Sequence, residues 1–197
     1  MAKRDIEFLY EVGGLRRVPR AWQQVLTNRV ANISEHIFRM TFIAWTLAVE
    51  EKADVDKVIK MVLAHDVAES RATDIAFMHR SYVSRNEDLA MEHIFANTTI
   101  GYEVTELMKE YEERKTLEAK IVKDADNLDV DLELREHSRL GDPVAENMRT
   151  KHRPTVRDKK LYTKSAKKMW DAIQKSNPDS WHQGLTESWI KNKKAAR

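Results

Sequence analysis

An all-α fold, a single helical bundle, is what this sequence predicts, on three observations. Apolar residues return every three or four positions in segment after segment. Only five glycines and four prolines punctuate 197 residues, too few for a turn-rich sheet protein. The 42% hydrophobic content suffices for one substantial core, and no repeat, long low-complexity tract or linker divides the chain.

In chain order, Asp5 to Tyr10 forms a short first helix with Ile6 and Tyr10 four apart, ended by Gly13-Gly14. A compact basic loop follows, Leu15 to Arg20, whose three arginines are either solvated surface or an anion clamp, since guanidinium offers phosphate a planar fork of donors. A strong helical pattern runs from Ser34 to about Val49 through Ile33, Ile37, Met40 or Thr41, Ala44 and Ala48, with Asn32 or Ser34 as its cap. A second runs from Asp54 or Val55 to Ala68. Its Val55, Val58, Ile59, Val62, Leu63 and Val67 cover most of the circumference, which predicts a central helix. Arg71 to Arg85 loses the period and reads as a loop bordering a site. Glu87 to Thr98 and Val104 to Tyr111 are helical, and Leu117, Ile121, Ala125 and Leu128 mark another amphipathic helix. Leu132 and Leu134 extend that helix or begin a new one, and Gly141-Asp142-Pro143 breaks the chain. Tyr162 to Ile173 is a further helix, stopped by Asn177-Pro178, and Trp181, Leu185 and Trp189 form a last apolar edge.

With 34 basic against 32 acidic residues, net +2, net charge gives a nucleic-acid partner no support. Basic residues gather in Lys151-His152-Arg153, Arg157-Asp158-Lys159-Lys160 and Lys191-Asn192-Lys193-Lys194, as solvated surface or as a patch for a phosphate-bearing ligand. No apolar run approaches the ~20 residues of a membrane span, and no leader is visible. The absence of cysteine excludes disulfides and thiolate chemistry and fits a cytoplasmic location.

The chemistry gathers at His65-Asp66, inside an apolar run from Val58 to Ala68. Charges placed there need partners or a metal. On a helix the two side chains point about 100° apart, so both can border one site. His36 on the preceding helix and Asp126 on a later one can supply a second nitrogen and a second oxygen. Two imidazoles and two carboxylates suit one borderline or moderately hard divalent ion, Mn2+, Co2+, Fe2+ or Mg2+. A buried polar network around His65-Asp66 is the alternative.

The ordered set Arg20, Asn32-Ile33-Ser34-Glu35-His36, Ala64-His65-Asp66-Val67-Ala68-Glu69-Ser70, Thr73-Asp74 and Lys123-Asp124-Ala125-Asp126 resembles the HD-domain metal phosphohydrolases, most closely their 5′-deoxynucleotidase branch. The resemblance covers roughly residues 15–134, which would be the metal-site core of one domain spanning 1–197, the rest being a helical extension. It implies hydrolysis of deoxyribonucleoside 5′-monophosphates to deoxyribonucleosides and phosphate, without a phosphoenzyme. It implies His36, His65, Asp66 and Asp126 as ligands of one divalent ion, with Mn2+ or Co2+ preferred. Glu69 matches the residue that activates or orients the attacking water. Asp74 matches a second acid on the phosphate and ribose side. Arg20 resembles the phosphate-holding arginine, with Arg17 as its rival. The family often places tryptophan directly after that arginine, whereas this chain reads Arg20-Ala21-Trp22, with Trp22 a candidate for nucleotide recognition.

Other readings stay open. His79, His93, His137, His152 and His182 are further potential ligands, and Glu92-His93 would contribute to a second metal in a dinuclear phosphodiesterase. A degenerate HD domain that binds nucleotide without catalysis is another. Trp170, Trp181 and Trp189 are core anchors or subunit contacts, and the resemblance favours a homodimer.

Overall fold

The computed structural model describes residues 3–183. Its elements are α1 (Lys3–Val12), α2 (Ile33–Glu51), α3 (Val55–Ala64), α4 (Glu69–Ala72), α5 (Glu87–Phe95), α6 (Gly101–Glu113), α7 (Leu117–Arg139), α8 (Pro143–Asn147), α9 (Val156–Lys159), α10 (Lys164–Lys175) and α11 (Ser180–Gln183). The described residues contain no strand, only an isolated bridge between Pro19 and Asn32. No helix among them is long and apolar enough to cross a membrane.

The architecture centres on α2, α3 and α7. Asn32 starts α2 with a reciprocal cap: its side chain accepts from the Glu35 N–H at 3.0 Å, and Glu35 accepts from the Asn32 N–H at 2.9 Å. The apolar stripe then buries Ile33, Ile37, Met40, Ala44 and Ala48, as the spacing predicts. Asp54 caps α3, and Thr116 caps α7. Met61, Val62, Ile121, Val122 and Leu128 from α3 and α7 complete the core. Each such side chain contributes about 1.5–3 kcal/mol on burial.

Three expectations are corrected, and one left open is resolved. α1 buries Phe8, whose ring lies 5.0 Å from that of Phe95, and leaves Ile6 and Tyr10 exposed. α3 ends at Ala64 rather than Ala68. The chain then tightens, with Val67 N–H donating to Ala64 O, Glu69 N–H to Asp66 O and Ser70 N–H to Val67 O, bonds spanning three residues instead of four. α3 also keeps a wet face, since Leu63 is 53% exposed. Val130 to Leu134 continue α7 without a break, because Val130 and Leu134 pack into a second apolar cluster with Leu26, Val30 and Ala145.

The break at Gly141-Asp142-Pro143 is real. Gly141 has φ +85°, and Asp142 caps α8 while accepting from the Thr27 N–H at 2.9 Å. The basic stretches are partly structural: Arg153 pairs with the fully buried Asp131 at 2.7 Å, and Arg157 with Asp171 at 2.7 Å. Trp170 packs against the main core, and Trp181 is exposed. Leu185, Trp189 and Lys191 to Lys194 lie outside the described residues.

Candidate metal centre

Three helices and a turn bring the ligand set together. His36 sits in the first turn of α2, fixed by the Asn32 cap. His65 is the residue after α3, Asp66 stands in the tight turn that follows, and Asp126 lies mid-way along α7. One ligand atom each from His36, His65 and Asp126 fall within 4.8 Å of one another. Asp66 borders the same point, with Oδ2 at 3.1 Å from His65 Nε2 and 3.6 Å from His36 Nε2. Asp126 Oδ1 is 3.6 Å from His36 Nε2.

The tautomers follow from the partners. His65 Nδ1 lies 2.7 Å from the Val62 carbonyl oxygen, which can only accept, so Nδ1 donates. His36 Nδ1 likewise donates to Asp129 Oδ2 at 2.6 Å. Both Nε2 atoms are buried without a hydrogen-bond partner and face the two carboxylates. Orphaned imidazole nitrogens opposite carboxylate oxygens are the donor set a divalent cation requires, and the residues fit one.

Positive neighbours keep the buried carboxylates of this cluster ionised. Burial opposes ionisation of Asp66, yet His65, His36 and Arg20 hold its carboxyl well below the usual range. Burial acts on Asp126 in the same sense and is outweighed by Lys123, His36 and Arg20. Burial lowers the proton affinity of His65, but Asp66, Asp126 and the Val62 carbonyl together raise it above the ordinary imidazole range. The carboxylates that attract that proton attract a cation equally.

Arg20 enters from the loop held by the Pro19–Asn32 bridge, where its N–H donates to Ala31 O at 3.0 Å. Its buried guanidinium lies 3.4 Å from Asp66, 3.7 Å from Asp74 and 3.9 Å from Asp126. Arg17 is exposed in the preceding 3-10 turn, and no hydrogen bond or ion pair among the described residues ties it to the cluster. Asp74 Oδ2 accepts from the Ala21 N–H at 2.9 Å, so this acid orients the Arg20 loop. Trp22 is half-buried, with the Arg20 guanidinium 5.6 Å from its ring and its Nε1 unpartnered.

Glu69 opens α4 and is buried. Burial pushes its carboxyl up to about 9, Asp66 and Asp74 add to this, and Arg20 and Arg85 oppose it. Its Oε1 meets Arg85 at 3.5 Å, while Oε2 has no partner. Beside His65, α5 and α6 enclose a cavity of about 1060 Å³ lined by Arg85, Met91, Phe95, Tyr102 and Met108.

Sequence reasoning missed Asp129, Arg39 and Arg85, and it named Lys123 without giving it a role. Asp129 follows Asp126 by one helical turn, a spacing that places it beside the ligand. Arg39 donates to Asp129 at 2.5 Å, and Lys123 pairs with Asp126 at 2.7 Å. Nothing in the sequence signals Arg85, which arrives from a loop without periodicity. Asp124, two residues before Asp126 and so on the opposite face of α7, instead accepts from the Tyr162 and Thr163 N–H groups at 2.7 and 2.8 Å and anchors α10. None of His79, His93, His137, His152 and His182 joins the cluster found among the described residues.

The chain is 34% identical over 141 residues to the 5′-deoxynucleotidase HDDC2 of Xenopus laevis, covering 68% of this chain and 70% of that protein. It is 32% identical to the human 5′-deoxynucleotidase HDDC2, with 71% of each chain covered. A crystal structure of the PH0347 protein from Pyrococcus horikoshii OT3 superposes with a TM-score of 0.71 at 28% identity, covering 86% of this chain and 98% of that one. Residues 12–176 match the family model described as HD domain, and with its histidines and aspartates gathered as above the chain belongs to that family.

Proposed function

We propose that this chain hydrolyses deoxyribonucleoside 5′-monophosphates to deoxyribonucleosides and inorganic phosphate. The observation that carries this reading is the pair of buried, unpartnered nitrogens, His36 Nε2 and His65 Nε2, facing Asp66 and Asp126 beside a buried arginine. The names of the Xenopus and human relatives supply the substrate class.

His36, His65, Asp66 and Asp126 would hold one divalent ion, Mn2+ or Co2+ by preference, with Fe2+ and Mg2+ also compatible with this mixed nitrogen and oxygen set. When bound, that ion supplies Lewis-acid stabilisation of the phosphoryl group. The residues do the rest. Arg20 neutralises phosphate oxygens from a guanidinium already desolvated and fixed, which strengthens its effect on developing charge. Glu69, buried beside the same aspartates, would orient the attacking water through its free Oε2, and it can take that water's proton only where positive charge bound at the cluster brings its carboxyl down from about 9. Asp74 keeps Arg20 in register, with Oδ2 3.7 Å from its Nη1 and accepting from the Ala21 N–H. As the water oxygen bonds to phosphorus the bond to the 5′ oxygen breaks, and that oxygen leaves as an alcohol by taking a proton from solvent, with no covalent enzyme intermediate. The open cavity beside α5 and α6 adjoins the cluster through His65 and has room for a nucleoside.

A matrix of ribo- and deoxyribonucleoside monophosphates against Mn2+, Co2+, Fe2+ and Mg2+, run after chelation and reconstitution, tests the proposal. Phosphate release should require a divalent ion and favour deoxyribose. Absence of release from every pair would leave a nucleotide-binding protein without catalysis.

A further inference from the structure

We propose that Arg85 is a positioning residue for Glu69: it holds one carboxylate oxygen so that the other is presented to the attacking water. The inference rests on the reading of Glu69 as the group that activates that water. Glu69 needs such a restraint. It stands at the start of a four-residue helix that follows a tight turn, so little backbone structure fixes its side chain. Its two oxygens are in different situations. Oε1 lies 3.5 Å from Arg85 Nη1, and Oε2 is buried with no partner at all.

Arg85 is itself restrained from two sides. Nη1 also donates to the Thr73 carbonyl oxygen, and Nη2 pairs with Glu87 Oε1 at 2.5 Å. Its side chain is only 15% exposed, and that of Glu69 8%, so the pair is little screened by solvent. The Thr73 bond matters for a second reason. Thr73 has φ +56°, a conformation that a branched side chain rarely adopts, and it turns the chain so that Asp74 reaches the Ala21 N–H. One guanidinium thus braces Glu69 directly and, through Thr73, the acid that registers Arg20. A planar fork with five donors can serve three acceptors in fixed directions, which an ammonium cannot.

The test compares Arg85→Met, Arg85→Lys, Glu69→Gln and the double variant Glu69→Gln/Arg85→Met in the full chain loaded with Mn2+. Turnover of a deoxyribonucleoside monophosphate, Mn2+ affinity and thermal unfolding are measured for each. Arg85→Met should lower kcat by about tenfold to hundredfold, the scale of a small misplacement of a reacting group, with KM and Mn2+ affinity within about threefold of the parent. Arg85→Lys should recover part of the loss, and it carries the comparison if Arg85→Met unfolds. In the Glu69→Gln background the Arg85 change should cost nothing further, because the group it positions is gone. An equal fold-loss in both backgrounds, or a rise in KM with kcat unchanged, would overturn the proposal and make Arg85 a loop clasp or a substrate contact. Full turnover by Glu69→Gln would instead remove Glu69 from the chemistry, and the positioning role of Arg85 with it.

Discussion

His36 donates from Nδ1 to Asp129 Oδ2 across 2.6 Å, and that bond decides which nitrogen of the ring faces the metal centre. Asp129 is buried. Burial pushes its carboxyl upward, but the His36 hydrogen bond and the Arg39 charge outweigh burial and leave it below the usual carboxylate range. An ionised Asp129 can only accept, so the proton stays on Nδ1 and Nε2 keeps its lone pair. Asp129→Asn keeps the size but presents either a neutral oxygen or a donor to Nδ1. Affinity for Mn2+, measured by competition with a chelator, should fall by about tenfold to hundredfold. Unchanged affinity would remove Asp129 from the centre.

Glu69 makes no short contact to either imidazole, and its free oxygen has no structural partner. Glu69→Ala should therefore retain one divalent ion per chain while turnover falls by about 10²–10⁴-fold, the range for a lost general base. Parallel loss of metal and activity would contradict that separation of roles.

The two rival arginines occupy different environments. Arg20 is buried among Asp66, Asp74 and Asp126, whereas Arg17 is exposed. Arg17→Ala should leave kcat/KM within about twofold of the parent. Arg20→Ala should lower it by about 10²–10³-fold, as expected for removing a preorganised charge from developing phosphate charge. The opposite ranking would assign the clamp to Arg17.

Asp142 gives a test of stability away from the chemistry. It caps α8 and accepts from Thr27 through both N–H and Oγ1, at 2.9 and 2.5 Å. The Thr27 bond holds its carboxyl down, at about 2 against an ordinary 3.8. A folded-state value below the unfolded one stabilises the protein above about pH 4, and that contribution disappears as pH falls through about 2. Asp142→Ala should cost about 1–2 kcal/mol at neutral pH, read from urea unfolding, and should flatten the acid limb of the stability profile. An unaltered acid limb would show that another group sets it.

The homodimer is a proposal supported by one face of α2, where Phe38, Phe42, Trp45 and Val49 stand 68, 51, 46 and 60% exposed at helical spacing. Phe38 and Phe42 meet edge to face at 5.3 Å, and Phe42 stacks on Trp45 at 6.4 Å. Apolar ladders of this kind mark association surfaces. Phe42→Glu should convert a dimer to a monomer in sedimentation velocity, with secondary structure intact. A parent that sediments as a monomer would dismiss the interface.

The sequence by itself determined the helical class, a cap at Asn32 or Ser34, the stripe of α2, the break at Gly141 and the order of the candidate ligands from His36 to Asp126. These are local properties: period, capping and turn chemistry act within a few residues, and ligand types are written in the letters. It misjudged the end of α3, because Val67 and Ala68 are apolar and buried whether the backbone is helical or tightly turned. Only the tertiary structure decided which of two arginines lies among the aspartates, that Asp124 and Asp126 face different partners, and that Asp129 and Arg85 stand beside His36 and Glu69. Those assignments depend on contacts across 16 to 93 residues of chain, as in Arg85 with Glu69 and His36 with Asp129. A charged side chain reads the same in sequence whether it is solvated or buried against a partner, and only packing supplies the partner.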